Sequence, residues 1–293
     1  MFHNTLPCSR HTPSDPRGER TVSQVVAAVL RDLRDEYEEL DRLLADATDE
    51  TWARGTSAPR WSVAHQVAHL AWTDRAALLA VTDPDTFATE AAKALATPET
   101  FVDEAATEWA RMPPATLLAY WREGRELLLT ALESAPVDSR FPWYGPPMGI
   151  ASMASARLME TWAHGQDVAD ALGSARVPTA RLRHIAHIGV RTRDHAHRLR
   201  GLTPPAAPFR IELTAPDGTL WCHGPEDAAQ RVTGPALDFC LLVTRRARAA
   251  DLAVTAEGPD AAHWLTIAQA FAGAPGPEPV PRPPHERTAA GKG

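Results

Sequence analysis

Two short stretches hold residues whose types and spacing suit metal chemistry. In Glu160-Thr-Trp-Ala-His164 a carboxylate and an imidazole stand four residues apart, and in Trp61-Ser-Val-Ala-His65-Gln-Val-Ala-His69 two imidazoles do the same. On a helix, residues four apart lie one above the other on one face. One face from each of two helices therefore presents a carboxylate and imidazoles to a common point. Imidazole nitrogen and carboxylate oxygen are ligands of zinc and related divalent ions, and a three-ligand protein set leaves a position open for water or substrate. A metal held this way lowers the pKa of a bound water or thiol, or polarises a substrate oxygen. The expected ligands are His69, Glu160 and His164. The spacing of His65 also permits it to join His69 as a ligand. We place it instead beside the ligands, among the catalytic candidates.

The same residue types have plainer uses. A Glu-x3-His pair is also an ordinary helix-surface pair, and most of the 12 histidines must serve as surface or core residues. His184 and His187, three apart, have spacing that would let them face the interior of a helical bundle. His195 and His197 are explained as favourable charges near a helix C-terminus. Cys240, in the apolar run Leu237-Asp-Phe-Cys-Leu-Leu-Val243, reads as a buried small side chain.

The elements that must position these residues follow from periodicity. Val22, Val25, Val26, Val29, Leu30, Leu33, Tyr37, Leu40 and Leu44 recur at three and four, which predicts a first helix from Thr21 to about Asp46. A second helix, starting near Ser62 and ending before Asp83-Pro84, carries His65 and His69. Residues 84–112 suggest short helices and a loop able to cover a cleft. Pro113-Pro114 opens a helix through Leu132, with proline where its missing N–H costs nothing. After an irregular connection from Ser134 to Gly149, a strong helix runs from Ile150 to Leu172 and closes on Gly173; it carries Glu160 and His164. Another is expected from Leu182 to Gly201. Residues 21–202 thus read as a metal-binding four-helix bundle.

Beyond Pro205 the apolar period drops from 3.6 to 2. Phe209, Ile211 and Leu213 alternate with polar residues, and Pro216-Asp-Gly218 turns the chain into Leu220-Trp-Cys222, a hairpin. A strand at Gln230–Thr233, a helix from Pro235 to about Arg246, a strand at Leu252–Thr255 and a helix from Asp260 to Phe271 complete a small α+β domain over residues 205–275. The ends, 1–20 and 276–293, are rich in proline and charge and are expected to be disordered tails.

A net charge of -7 gives no basic footprint for nucleic acid. The chain has no apolar run near the ~20 residues of a membrane span, and no leader of the secretory kind. Cys8, Cys222 and Cys240 are odd in number and far apart, against a disulfide framework. A cytoplasmic protein acting on a small molecule, with no nucleic-acid or membrane partner, is expected.

Trp61-Ser-Val-x-His65-x-x-x-His69-Leu followed by Glu160-Thr-Trp-x-His164-Gly-x-Asp167-Val resembles the paired signature of the DinB-like metalloenzymes, in particular the mycothiol-dependent maleylpyruvate isomerase family. The resemblance covers roughly residues 21–275. It implies a four-helix bundle holding a divalent metal, usually zinc, through one histidine of the second helix and the Glu/His pair of a later one, which are His69, Glu160 and His164. Val232-Thr-Gly-Pro-Ala-Leu-Asp238, Arg245 and Trp264 to Gly273 resemble the smaller sterol-carrier-like α+β domain that follows the bundle. One departure stands out: the family commonly carries Gly-Arg after the apolar helix of that domain, and here Thr244-Arg245-Arg246 occupies the place.

The resemblance implies an isomerase or transferase that uses a low-molecular-weight thiol, mycothiol, on an electrophilic substrate. Arg245 or Arg246 would clamp a carboxylate, which guanidinium matches with two parallel hydrogen bonds. The alternatives are a thiol-independent metal hydrolase or lyase, and a non-enzymatic metal-stabilised binding protein. Trp61, Trp72 and Trp162 separate them: side chains blocking the open metal positions would make the site structural.

Overall fold

The computed structural model describes residues 22–97, 100–274, 276 and 278–279. The tail expected at 1–20 and most of that at 276–293 lie outside the described residues. The chain divides between Val177 and Pro178 into two compact units.

The first unit is built from α1 (Val22–Leu44), α2 (Asp49–Ala53), α3 (Val63–Thr82), α4 (Pro84–Leu95), α5 (Phe101–Trp109), α6 (Pro114–Ser134), a two-strand ladder of β1 (Arg140–Phe141) and β2 (Met148–Gly149), and α7 (Ile150–Leu172). The long helices α1, α3, α6 and α7 form the bundle, with α1 packed on α7 and α3 on both α6 and α7. Their apolar stripes meet in a sealed core that includes Leu33 and Leu40 of α1, Val67 and Leu70 of α3, Trp121 and Leu128 of α6, and Met153 and Leu158 of α7. Each such side chain removed from water contributes about 1.5–3 kcal/mol.

The helix ends obey local chemistry. Ser62 and His65 close a capping box at the start of α3, a pairing in which a side chain three residues in satisfies the N-cap amide. Asp83 accepts from Thr86 N at 3.1 Å and Pro84 takes the first position of α4. Gly173, at φ 66°, terminates α7 in the left-handed conformation that glycine adopts without steric cost. The irregular connection after α6 is tied at its ends by the antiparallel pairs Arg140–Gly149 and Phe141–Met148, so the segment holding Trp143 and Tyr144 is a closed loop.

The second unit contains α8 (Leu182–Arg191), α9 (Arg193–Arg198), β3 (Phe209–Thr214), β4 (Leu220–His223), β5 (Gln230–Pro235), α10 (Ala236–Val243), β6 (Thr255–Glu257) and α11 (Pro259–Ile267). Its sheet has the order β4-β3-β5-β6, with β3 antiparallel to β4 and parallel to β5, and β5 antiparallel to β6.

The helix expected from Leu182 to Gly201 is two helices broken at Thr192, and it belongs to the second unit instead of the bundle. Its buried face, with Leu182, Ile185 and Ala186, covers α10, and the Cys240 thiol meets the Leu182 carbonyl at 3.5 Å. Thr192 donates to the carbonyl of Gln269 at 2.8 Å, a further tie within this unit. Periodicity marks an apolar face but does not say what covers it. The strand expected at Leu252–Thr255 begins instead at Thr255, after a short 3-10 turn at Ala249–Asp251. Asp238 Oδ2 takes the Ala253 amide at 2.7 Å, so that donor is satisfied outside any ladder.

Candidate metal centre

Packing of α3 against α7 brings His69 of α3 to Glu160 and His164 of α7. Glu160 Oε2 lies 3.3 Å from His69 Nε2 and 3.3 Å from His164 Nε2. One ligand atom from each of the three residues falls within 4.8 Å of the others. Two nitrogens and a carboxylate oxygen converging in this way fit a divalent cation of the zinc type. The His69 Nδ1 is buried and has no partner. Burial pushes the Glu160 carboxyl up, but hydrogen bonds and charge from His164 and His69 outweigh it and hold the group well below the usual carboxylate range. The triad is sheltered but reachable, with side-chain exposures of 10% for His69, 23% for Glu160 and 12% for His164. Solvent reaches the carboxylate, as an open coordination position requires.

His65 stands apart from the triad. Its Nδ1 accepts from the Ser62 backbone N–H at 3.3 Å and lies 2.9 Å from Ser62 Oγ. Burial lowers its pKa against an opposing pull from Asp103, so the ring is neutral at pH 7. With Nδ1 accepting, the proton sits on Nε2.

Gln66, which the spacing argument passed over, is fully buried and its amide oxygen accepts from His164 Nδ1. A buried amide between two histidines of one signature is a polar residue on a core face, and that was the available signal.

Aromatic side chains flank the triad. The Trp61 ring stacks on His164 with centroids 5.9 Å apart and lies 5.4 Å from His69, while Trp72 lies 5.8 Å from His69. Asp103 of α5 fixes the first ring by accepting from Trp61 Nε1 at 3.0 Å, and Arg60 holds the same carboxylate at 2.7 Å. From Trp72 the aromatic contacts continue through Phe101 to Tyr144 of the closed loop. These tryptophans border the triad and leave Glu160 accessible. Trp162 is buried in the core at 5% exposure.

The remaining candidates belong to the second unit. Arg245 and Arg246 terminate α10: the Arg245 amide donates to Leu242 O at 3.0 Å and the Arg246 amide to Leu241 O at 2.8 Å. This is the Schellman pattern, and Arg245 adopts φ 57° at the position where glycine is usual. Arg245 thus stands in the left-handed position that closes α10, with Arg246 after it. His184 and His187 lie on α8 and not in the bundle; the His187 ring is 6.2 Å from that of His223. His197 contacts the Arg193 carbonyl through Nδ1 at 2.9 Å. Burial pushes the Cys240 thiol up, so it is no thiolate.

Comparison with known proteins meets this geometry. Residues 33–169 match the family described as the mycothiol maleylpyruvate isomerase N-terminal domain. Proteins from two strains of Mycobacterium tuberculosis, both described as uncharacterized, are 58% identical over 245 residues, 84% of this chain and 95% of theirs. The chain belongs to the DinB-like, mycothiol-dependent maleylpyruvate isomerase family. The fold likeness covers both the bundle and the mixed α+β region: the crystal structure of the mycothiol-dependent maleylpyruvate isomerase superposes with a TM-score of 0.56 at 15% identity, over 80% of this chain and 95% of that one. A mutant of that enzyme gives the same TM-score at 16% identity. At such identity the likeness is one of fold. Residues 205–257 also match a family described as wyosine base formation. Among the described residues no helix is long and apolar enough to cross a membrane.

Proposed function

We propose that this chain is a divalent-metal-dependent enzyme that uses a low-molecular-weight thiol of the mycothiol type for isomerisation or group transfer on a small electrophilic substrate. The observation that carries this reading is the His69–Glu160–His164 cluster, three converging ligand atoms with the Glu160 side chain 23% exposed to solvent. Zinc suits two imidazoles and one carboxylate, and its borderline softness accommodates sulfur. When bound, the metal supplies Lewis acidity that keeps a thiol sulfur in its nucleophilic form near neutral pH.

The chain's own residues do the rest. His69 and His164 bind through nitrogen from two helices, so the bundle packing sets the spacing of the ligands. Glu160, held ionised, contributes the negative charge that a divalent ion needs. Trp61 and Trp72 place apolar ring surface beside the cluster, where a substrate would be held. His65, neutral and protonated at Nε2, is the nearby group able to donate a hydrogen bond to a substrate held beside Trp61. The family's namesake activity supports the thiol; the cluster supports the metal.

Cobalt substitution tests both parts. Cobalt-loaded protein titrated with mycothiol, and with 2-mercaptoethanol as control, should develop a sulfur-to-cobalt charge-transfer band. An intact cobalt spectrum without that band at saturating thiol would turn the assignment to a thiol-independent hydrolase or lyase.

A further inference from the structure

Gln66 is one member of a directed chain of hydrogen bonds that ends on a metal-centre histidine. The loop before α3 is tied as a narrow hairpin, with Thr56 N donating to Trp61 O at 2.8 Å and Val63 N to Arg54 O at 3.0 Å. Inside it, Thr56 Oγ1 lies 3.0 Å from the Trp61 carbonyl and 2.8 Å from Gln66 Nε2. A carbonyl only accepts, so the threonine hydroxyl must spend its single proton on Trp61; otherwise two lone pairs would face each other. The hydroxyl is then left with acceptor capacity alone toward Gln66, and the glutamine must turn its NH2 to Thr56. Its amide oxygen consequently faces His164 Nδ1, the contact that the structure contains.

An amide oxygen facing Nδ1 requires a proton on that nitrogen. The neutral His164 ring therefore carries no proton on Nε2, and a lone pair points toward Glu160 Oε2 at 3.3 Å. A cation in that gap, a proton or a metal ion, joins the two acceptors; without metal it is the proton that lets His164 hold the Glu160 carboxyl low. The opposite tautomer would place a proton where the metal must bind.

We propose that the Thr56–Gln66 relay holds His164 as its Nδ1–H tautomer and so presets Nε2 as a metal ligand before the metal arrives. Gln66 and Thr56 are thus positioning residues. The inference rests on the metal-centre reading above. The backbone of one loop, through a hydroxyl and an amide, selects the ring nitrogen offered to the ion, and the partner of a ligating histidine is usually worth about 10–100-fold in metal affinity.

The tautomer is readable without any metal. In the full-length apoprotein labelled with 15N-histidine, long-range proton–nitrogen correlation, with His164→Ala to assign the signals, should show His164 protonated at Nδ1. Gln66→Met removes the acceptor, and Thr56→Val frees the amide to turn over; each should erode the Nδ1–H preference. Zinc affinity, measured by chelator competition, should fall about 10–100-fold in Gln66→Met and in the same direction in Thr56→Val. Gln66→Glu, which offers oxygen in either orientation, should restore both readouts. An Nε2–H tautomer in the parent protein, or Thr56→Val and Gln66→Met proteins with parental tautomer and zinc affinity, would overturn the relay while leaving the metal centre standing. A parent protein with the Nδ1–H tautomer that takes up no zinc would overturn the metal centre itself.

Discussion

Arg157 donates from Nε to Asp74 Oδ1 at 2.8 Å, with side-chain exposures of 2% and 0%. The pair ties α7 to α3 beneath the metal centre, and α1 joins it because Tyr37 donates to the same oxygen at 2.7 Å. Arg157 also reaches Thr73 at 2.7 Å, whose hydroxyl lies 2.8 Å from the His69 carbonyl. The backbone that carries His69 is thus held by a buried charge network three residues before Glu160.

Arg157→Leu would leave the Asp74 carboxylate buried without its cation. Breaking a buried pair from one side costs about 3–5 kcal/mol. Urea unfolding should show a loss of that size, accompanied by weaker zinc binding as α3 and α7 lose their common anchor. A loss under about 1 kcal/mol, typical of an exposed pair, would mean that the charge is solvated.

His69→Ala should remove most bound metal while the helical circular dichroism stays. The imidazole is a small part of a large core, so folding does not depend on it. Zinc at about 1,000 times its dissociation constant should add about 4 kcal/mol to the parent protein, and chelator should remove that gain. Stoichiometric zinc in the variant by elemental analysis would show that the ligand set is wrong.

The second unit should lose stability in acid through His223. Burial lowers its pKa from 6.5 to about 4, with His187 and Arg210 adding to the shift. A depressed histidine stays neutral in the fold while the unfolded chain takes up the proton, so its contribution is present above about 6.5 and is lost as the pH falls toward about 4. The full loss is at most about 3 kcal/mol. Hydrogen exchange of the β3–β5 amides should speed up between pH 6.5 and 4.5 relative to a His223→Phe protein. Equal acid sensitivity in both would place the titrating group elsewhere.

Gly189 sits where α8 crosses α10, and a Cβ there would stand 2.9 Å from both methyls of Val243. Gly189→Ala should destabilise the second unit by about 1–3 kcal/mol, the usual cost of overpacking. Adding Val243→Ala should recover part of the loss. A double variant no better than the sum of the two single changes would rule out this contact as the cause.

The face-sharing of the proposed ligands was legible in the sequence because helical spacing is a local property: Glu160 and His164 share a face wherever their helix packs, and so do His65 and His69. Apolar periods of 3.6 and then 2 likewise announced a helical part followed by an α+β part. Tertiary structure alone decided which histidine of the second pair meets Glu160, since His65 turns to Ser62 and the helix start while His69 faces α7. It also decided that the helices after Pro178 cover α10 and leave the bundle to α1, α3, α6 and α7, because an amphipathic stripe specifies burial without naming its partner. The tie from Thr56 through Gln66 to His164 joins a loop, a second helix and a residue 98 positions away, and contacts of that range follow from packing and not from spacing.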